Sequence, residues 1–213
     1  MPPRRLPMFP LGTVLLPFAH LPLHIFEPRY RALVKDCLAG DGEFGVVLIE
    51  RGHEVGGGDV RFGVGTVARI VQTAELPDGR WLVDAVGTER FRVAEWLPED
   101  PYPLAMVEAL ADEPFDAAPE KEAEAAGRRT AVERRLRQVL ALQVELGFPA
   151  PSAVRSLDDD PATAAFEAAL LSPIGPMDCQ KVLEAPGTVA RLALLETMLD
   201  EARDLLARRI AEA

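Results

Sequence analysis

The chain has 213 residues, enough for one large domain or two small ones with a real core. Hydrophobic residues make up 48% and charged residues 27%, and no apolar run is long enough to span a bilayer, so the reading is a cytoplasmic protein with no membrane partner. The net charge of -11 repels phosphate backbones and makes nucleic acid an unlikely main partner.

The N-terminal stretch MPPRRLPMFPLG has two arginines, but its prolines interrupt any signal-peptide core. Leu21, Leu23 and Ile25 then alternate with Pro22, His24 and Phe26, the period of two that marks a strand. On that extended backbone His20 and His24 stand about 13 Å apart, too far to share a zinc ion, and no metal site is expected. The run HIFEPRYRAL (24–33) closes the strand. Glu27-Pro28 reads as a helix start, with Pro at the first helical position and a carboxylate at the positive end of the helix dipole. Tyr30, Leu33, Val34, Cys37 and Leu38 follow at i, i+3, i+4, i+7 and i+8, an amphipathic stripe, and Gly40 is a natural stop. Glu27 and Arg31 have i, i+4 spacing for an ion pair.

Phe44–Ile49 is apolar throughout and reads as a central strand. Val60 to Ile70 alternates, and the LPDGRW turn at 76–81 carries an Asp-Gly pair that tolerates positive φ. Strands continue through Trp81–Trp96 and Leu104–Leu110. Strands without intervening helical patterns imply a barrel or sandwich. Near residue 112 the composition turns acidic and Ala-rich, and everything beyond is helical in pattern. The expected division is a β subdomain over 1–115 and a helical bundle over 116–213. Val132, Leu136, Val139 and Leu146 mark the apolar side of the first bundle helix, with Gly127 a weak point near its start. PSAVRSLDDDP (151–161) is a loop, Ala162–Leu171 and Pro176–Glu184 are short helices, and the last helix runs from Thr188 to Ala211. Its Leu192, Leu195, Leu199, Ala202 and Leu206 form a 3,4-spaced seam, suited to packing in the bundle or to a homodimer.

Motifs that could carry chemistry are weak. RFGVGTV (61–67) holds a GxG, but no helix follows it as phosphate binding requires; its glycines read as relief of crowding. His20, His24 and His53 lack triad partners, and Ser172 with Lys181 lacks any dyad motif. Cys37 and Cys179 read as reduced, mostly buried thiols. No catalytic residue and no cofactor are expected. Arg128, Arg129, Arg134, Arg135 and Arg137 make a basic cluster, read first as a solvated helix face and second as an RNA patch.

LPMFPLGTVLLPFAHLPLHIFEPRYRALVKDCLAGDGEFGVVLI (6–49) closely resembles the start of the Lon-protease N-terminal, substrate-binding domain family. VGTVARI (64–70), the LPDGRW hairpin, GTERFRV (87–93), DCQKVLE (178–184) and RLALLETMLDEARDLL (191–206) extend the resemblance over nearly the whole chain. It implies an α+β fold, a PUA-like β pseudo-barrel of about six strands followed by an α-helical bundle. It also implies recognition of unfolded or extended polypeptide segments, in a stand-alone member without the ATPase and protease modules. Contact is expected near Phe18, His20, His24, Phe26 and Tyr30, through an exposed strand edge and apolar surface. The alternatives are an RNA-binding PUA-like protein and a scaffold dimerising through its last helix.

Overall fold

A computed structural model describes residues 3–52, 58, 60–112, 119–152 and 156–212. It forms two compact units, Met1–Ala111 and Asp112–Ala213. The boundary expected at 115/116 falls within 113–118, outside the described residues, as do His53 and loop residues 153–155.

The first unit contains strands β1 (Arg4–Leu11), β2 (His20–Ile25), β3 (Glu43–Arg51), β4 (Val60–Glu75), β5 (Trp81–Leu97) and β6 (Leu104–Ala109), with helix α1 (Pro28–Ala39) between β2 and β3. The sheet order is β2-β5-β4-β3-β1-β6, and a β5–β6 pairing closes five strands into a barrel with β2 left outside. This is the six-stranded α+β architecture expected. All pairings are antiparallel except β1 with β3.

Strand β1 is the element sequence patterning missed, because Pro7 and Pro10 break its alternation. A proline has no N–H to donate and is normally kept out of a central strand. Here β1 divides its pairing: Arg4–Pro7 lie against β6 and Met8–Leu11 against β3. Each half has one ladder neighbour, so each proline can turn its nitrogen to the unpaired side.

The barrel is filled by Leu6, Met8, Val47, Val67, Phe91, Ala105 and Val107. Phe91 fits because two glycines face it: a Cβ on Gly45 would lie 2.9 Å from Phe91 Cζ, and one on Gly65 would lie 2.7 Å from the same atom and 2.2 Å from the Val46 carbonyl oxygen. Gly65 therefore relieves crowding, while a Cβ on Gly63 would meet nothing within 4 Å. The β4–β5 hairpin turns at Asp78-Gly79, with Gly79 at φ +78°. On the rim, burial opposes the charge of Glu43, but hydrogen bonds from Arg69 and Arg4 outweigh it and hold the carboxyl below the usual carboxylate range.

Four helices form the second unit: α2 (Pro119–Glu145), α3 (Pro161–Leu171), α4 (Pro176–Glu184) and α5 (Thr188–Ala211). Helix α2 runs unbroken through Gly127. Its buried stripe is Val132, Leu136, Val139 and Leu140; Leu146 lies past the helix end and is only half-buried. Asp160 caps α3 by accepting from the Thr163 N–H at 2.9 Å. Leu192, Leu195, Leu199 and Leu206 of the α5 seam are buried and Ala202 is half-buried, as packing in a bundle requires.

At the centre lies Arg191, fully buried. Its guanidinium donates to both Asp112 carboxylate oxygens at 3.1 and 2.8 Å, its Nε donates to the Val182 carbonyl at 3.3 Å, and its plane lies 4.1 Å from the Phe166 ring centre. A buried cation is tolerable only when its donors are answered this fully.

Two measurements check this packing. Urea denaturation of Gly65→Ala should show a loss of about 1–3 kcal/mol from overpacking, with Gly63→Ala near neutral. Arg191→Ala should lose about 3–5 kcal/mol, the typical effect of breaking a buried pair.

Candidate functional site

Strand β2 is the free edge of the sheet. Leu21 and Ile25 are buried and His20, Pro22 and His24 are exposed, as the alternation predicts. Two hollows flank the strand and share Pro22, Leu23 and His24. The larger, about 460 Å³, continues across β5 and β4 over Leu82, Asp84, Gln72 and Ala74. The smaller, about 230 Å³, lies between β2, β1 and the start of α1, against Phe9, Leu11, Phe26 and Tyr30. Register explains the first floor. Pro22 stands opposite Asp84 and His24 opposite Leu82, while Gln72 and Ala74 stand opposite the same two β5 residues on the other side.

The expected binding residues fall into three settings. Phe18 and Phe26 are 55% and 54% exposed, one before β2 and one after it. His20 and His24 are on the exposed face between them. His20 Nδ1 lies 3.5 Å from Asp84 Oδ1, and the His24 ring meets Phe26 edge-on at 6.5 Å between centroids. Tyr30 is only 4% exposed: it stacks on Phe9 at 4.1 Å and lies under the Arg29 guanidinium at 4.4 Å, so it serves as floor and core. Sequence reasoning missed Leu82, Gln72 and Ala74, because only strand pairing brings them to β2.

Most of EPRYR has local work. Pro28 opens α1, and Tyr30, Leu33, Val34 and Cys37 face the core while Leu38 is exposed. The Glu27 carboxylate takes its hydrogen bond from Arg29 Nε at 3.0 Å, not from Arg31 as the i, i+4 spacing suggested. Side-chain direction at the first turn decides this. Arg31 instead reaches the Gly79 turn, where a Cβ would lie 3.0 Å from its Nη2.

The edge itself is poorly suited to strand addition. Gly87 N–H donates to the Ala19 carbonyl at 2.9 Å, so Ala19–Gly87 is a hydrogen-bonded pair. Antiparallel pairs alternate, which makes Leu21–Ala85 and Leu23–Val83 bonded and Pro22–Asp84 not. The nitrogen of Pro22, with no hydrogen to give, therefore faces the open edge. Against the main-chain half of the expected contact, an added strand would lose one bond at the middle of β2.

Burial, followed by the nearby Asp41 and Asp36 carboxylates, pushes the Cys37 thiol up to about 12. Burial and the Asp36 hydrogen bond raise the Tyr102 hydroxyl to about 12. Both changes suppress the reactive anion, and neither residue lines either of these two hollows. Among the described residues no cluster of His, Cys, Asp and Glu could hold a metal ion, and no helix is long and apolar enough to cross a membrane.

One unit is thus a closed β-barrel with an apolar strand at its open edge, and the other is a bundle of four helices. A family profile described as the ATP-dependent protease La (LON) substrate-binding domain matches residues 5–201, and the chain belongs to that family. Lon protease 2 of Myxococcus xanthus is 33% identical over 208 residues, 96% of this chain and 24% of that protein. The Lon protease of Anaeromyxobacter dehalogenans is 32% identical over the same shares. The chain thus spans about a quarter of the length of these curated relatives. The crystal structure of a Lon N-terminal domain protein from Xanthomonas campestris aligns with a TM-score of 0.63 at 29% identity, covering 90% of this chain and 96% of that one. The N-terminal domain of a Mycobacterium avium complex Lon protease aligns with a TM-score of 0.63 over 92% and 98% of the two chains. At 18% identity, that second likeness shows the shared fold alone.

The split between Tyr30 and Phe26 has a direct check. Tyr30→Ala should lose about 3–5 kcal/mol in urea denaturation, in line with large aromatic truncations in a core. Phe26→Ala should stay within about 0.5 kcal/mol of the parent, as exposed positions do.

Proposed function

We propose that this chain is a non-enzymatic module that binds unfolded or extended polypeptide segments, and that the contact lies along β2. The observation that carries the reading is the pair of hollows sharing Pro22, Leu23 and His24, with exposed Phe18 and Phe26 at the two ends of the strand. Side chains of a bound segment enter the hollows; the donorless Pro22 leaves little role for a continuous main-chain ladder. Membership of a substrate-binding domain family supports polypeptide as the ligand class. The free thiols Cys37 and Cys179 fit a reducing compartment such as the cytoplasm.

RNA is the weaker reading. The basic cluster on α2 favours it by composition, yet Arg128 pairs with Glu124 and Glu196, Arg129 with Asp159, Arg135 with Glu196 and Asp200, and Arg137 with Glu133. Those cations are answered inside the helical unit, which lowers their value for phosphate.

The purified chain should retain peptides from a cellulose-bound library, and anisotropy titrations of the retained peptides should show only shallow salt dependence. Leu82→Asp, at the floor of the larger hollow, should weaken binding about tenfold, as loss of a central apolar contact does. A library without retained peptides, or binding unaffected by Leu82→Asp and Phe26→Ala alike, would remove this reading.

A further inference from the structure

Residues 15–19, LLPFA, form a turn held by the barrel from several sides. Thr66 Oγ1 donates to the Leu15 carbonyl at 2.6 Å, and the Ala19 N–H donates to the Leu16 carbonyl at 3.1 Å. The Phe18 N–H donates to the Gly87 carbonyl at 2.8 Å, and the Gly87 N–H returns a bond to Ala19. A Cβ on Gly87 would lie 2.3 Å from the Leu16 oxygen, so the turn crosses that strand at the closest approach a glycine allows. Leu15, Leu16, Pro17 and Ala19 are all buried.

Phe18 is the exception twice over. Its φ is +67°, the only positive value at a non-glycine among the described residues. The Leu16–Ala19 bond with Pro17 at the second position defines a type II turn, whose third position wants glycine or asparagine. The same residue occupies the left-handed position of a bulge opposite Gly87, again a glycine site. A phenylalanine there is strained by its Cβ. Nor does its ring compensate by burial, since it stands 55% exposed while its four neighbours are inside. The position carries conformational strain and returns little packing to the fold.

We propose that Phe18 is an anchor for the bound polypeptide, displayed by a turn strained for that purpose, and that its partner is an apolar side chain on a neutral or basic extended segment. This deepens the polypeptide-binding reading above and rests on it. The charge preference follows from Asp84 in the larger hollow, whose lining has no arginine or lysine; Glu27 in the smaller hollow is already answered by Arg29. Strain retained at an exposed residue is characteristic of recognition sites, where stability is exchanged for function.

The test uses the full chain with Phe18→Gly and Phe18→Asn, both suited to positive φ. The probe is fluorescein-labelled lysozyme, reduced and carbamidomethylated so that it stays unfolded and basic; α-lactalbumin treated alike supplies the acidic counterpart. Both variants should melt about 2–6 °C higher than the parent as strain is relieved. Both should bind the lysozyme chain about tenfold more weakly, and the parent should bind α-lactalbumin more weakly than lysozyme. Unchanged affinity in both variants, with parent binding intact, would overturn the anchor and leave the polypeptide-binding reading standing. A lower melting temperature in both would show that the ring packs into the fold, which also overturns it. Tighter binding of α-lactalbumin would overturn the stated partner chemistry, and no binding of either chain by the parent would bring down the earlier reading and the anchor together.

Discussion

The β unit depends on how one strand shares out its two sides. A strand has only two edges for hydrogen bonding, and β5 is long enough to give one of them to two different partners. Along one edge it pairs with β4; along the other it pairs first with β2 and then, beyond residue 90, with β6. The second half closes the barrel and the first half holds β2 outside it. Gly87 lies at the handover, where the turn before β2 comes in against the backbone. A side chain there would push the turn away and free the start of β2.

From that arrangement the character of the site follows. A strand held outside a closed barrel keeps one edge and one face open to solvent, and this one fills them with rings, a proline and aliphatic carbon. It offers shape and apolar area with a few polar groups at the rim, the mixture that side-chain recognition uses. The groups with strongly raised pKa values lie elsewhere and are driven toward inert forms. That mixture suits the polypeptide binding proposed for it.

Local patterning revealed much of this fold because most elements declare themselves over short distances. Pro176 to Glu184 and Thr188 to Ala211 begin and end where proline, glycine and the apolar period place them. Strand β1 escaped because its prolines are allowed only by a divided pairing, which is a tertiary fact. The choice of Leu140 over Leu146, and of Arg29 over Arg31 as partner for Glu27, was likewise made by three-dimensional direction. Of the site, alternation exposed the β2 face and its aromatic ends. The larger hollow stayed hidden, since its floor comes from residues about 50–60 positions away in the chain, joined to β2 only through the register of β5 and β4. The strain at Phe18 was hidden too, because Pro-Phe reads as an ordinary dipeptide until the φ angle is known.

The clasp between Arg191 and Asp112 bears on how this chain can be divided. Composition alone would cut it at residue 116, where the acidic stretch gives way to helix. A helical fragment begun there would contain Arg191, the Val182 carbonyl and the Phe166 ring, but not the carboxylate that answers the guanidinium. It would inherit a cation sealed in its interior with its counter-ion left on the other piece. Asp112 thus makes the autonomous helical fragment begin at least four residues earlier than its first helix-rich composition suggests, and a boundary that looks like a spacer includes part of the core.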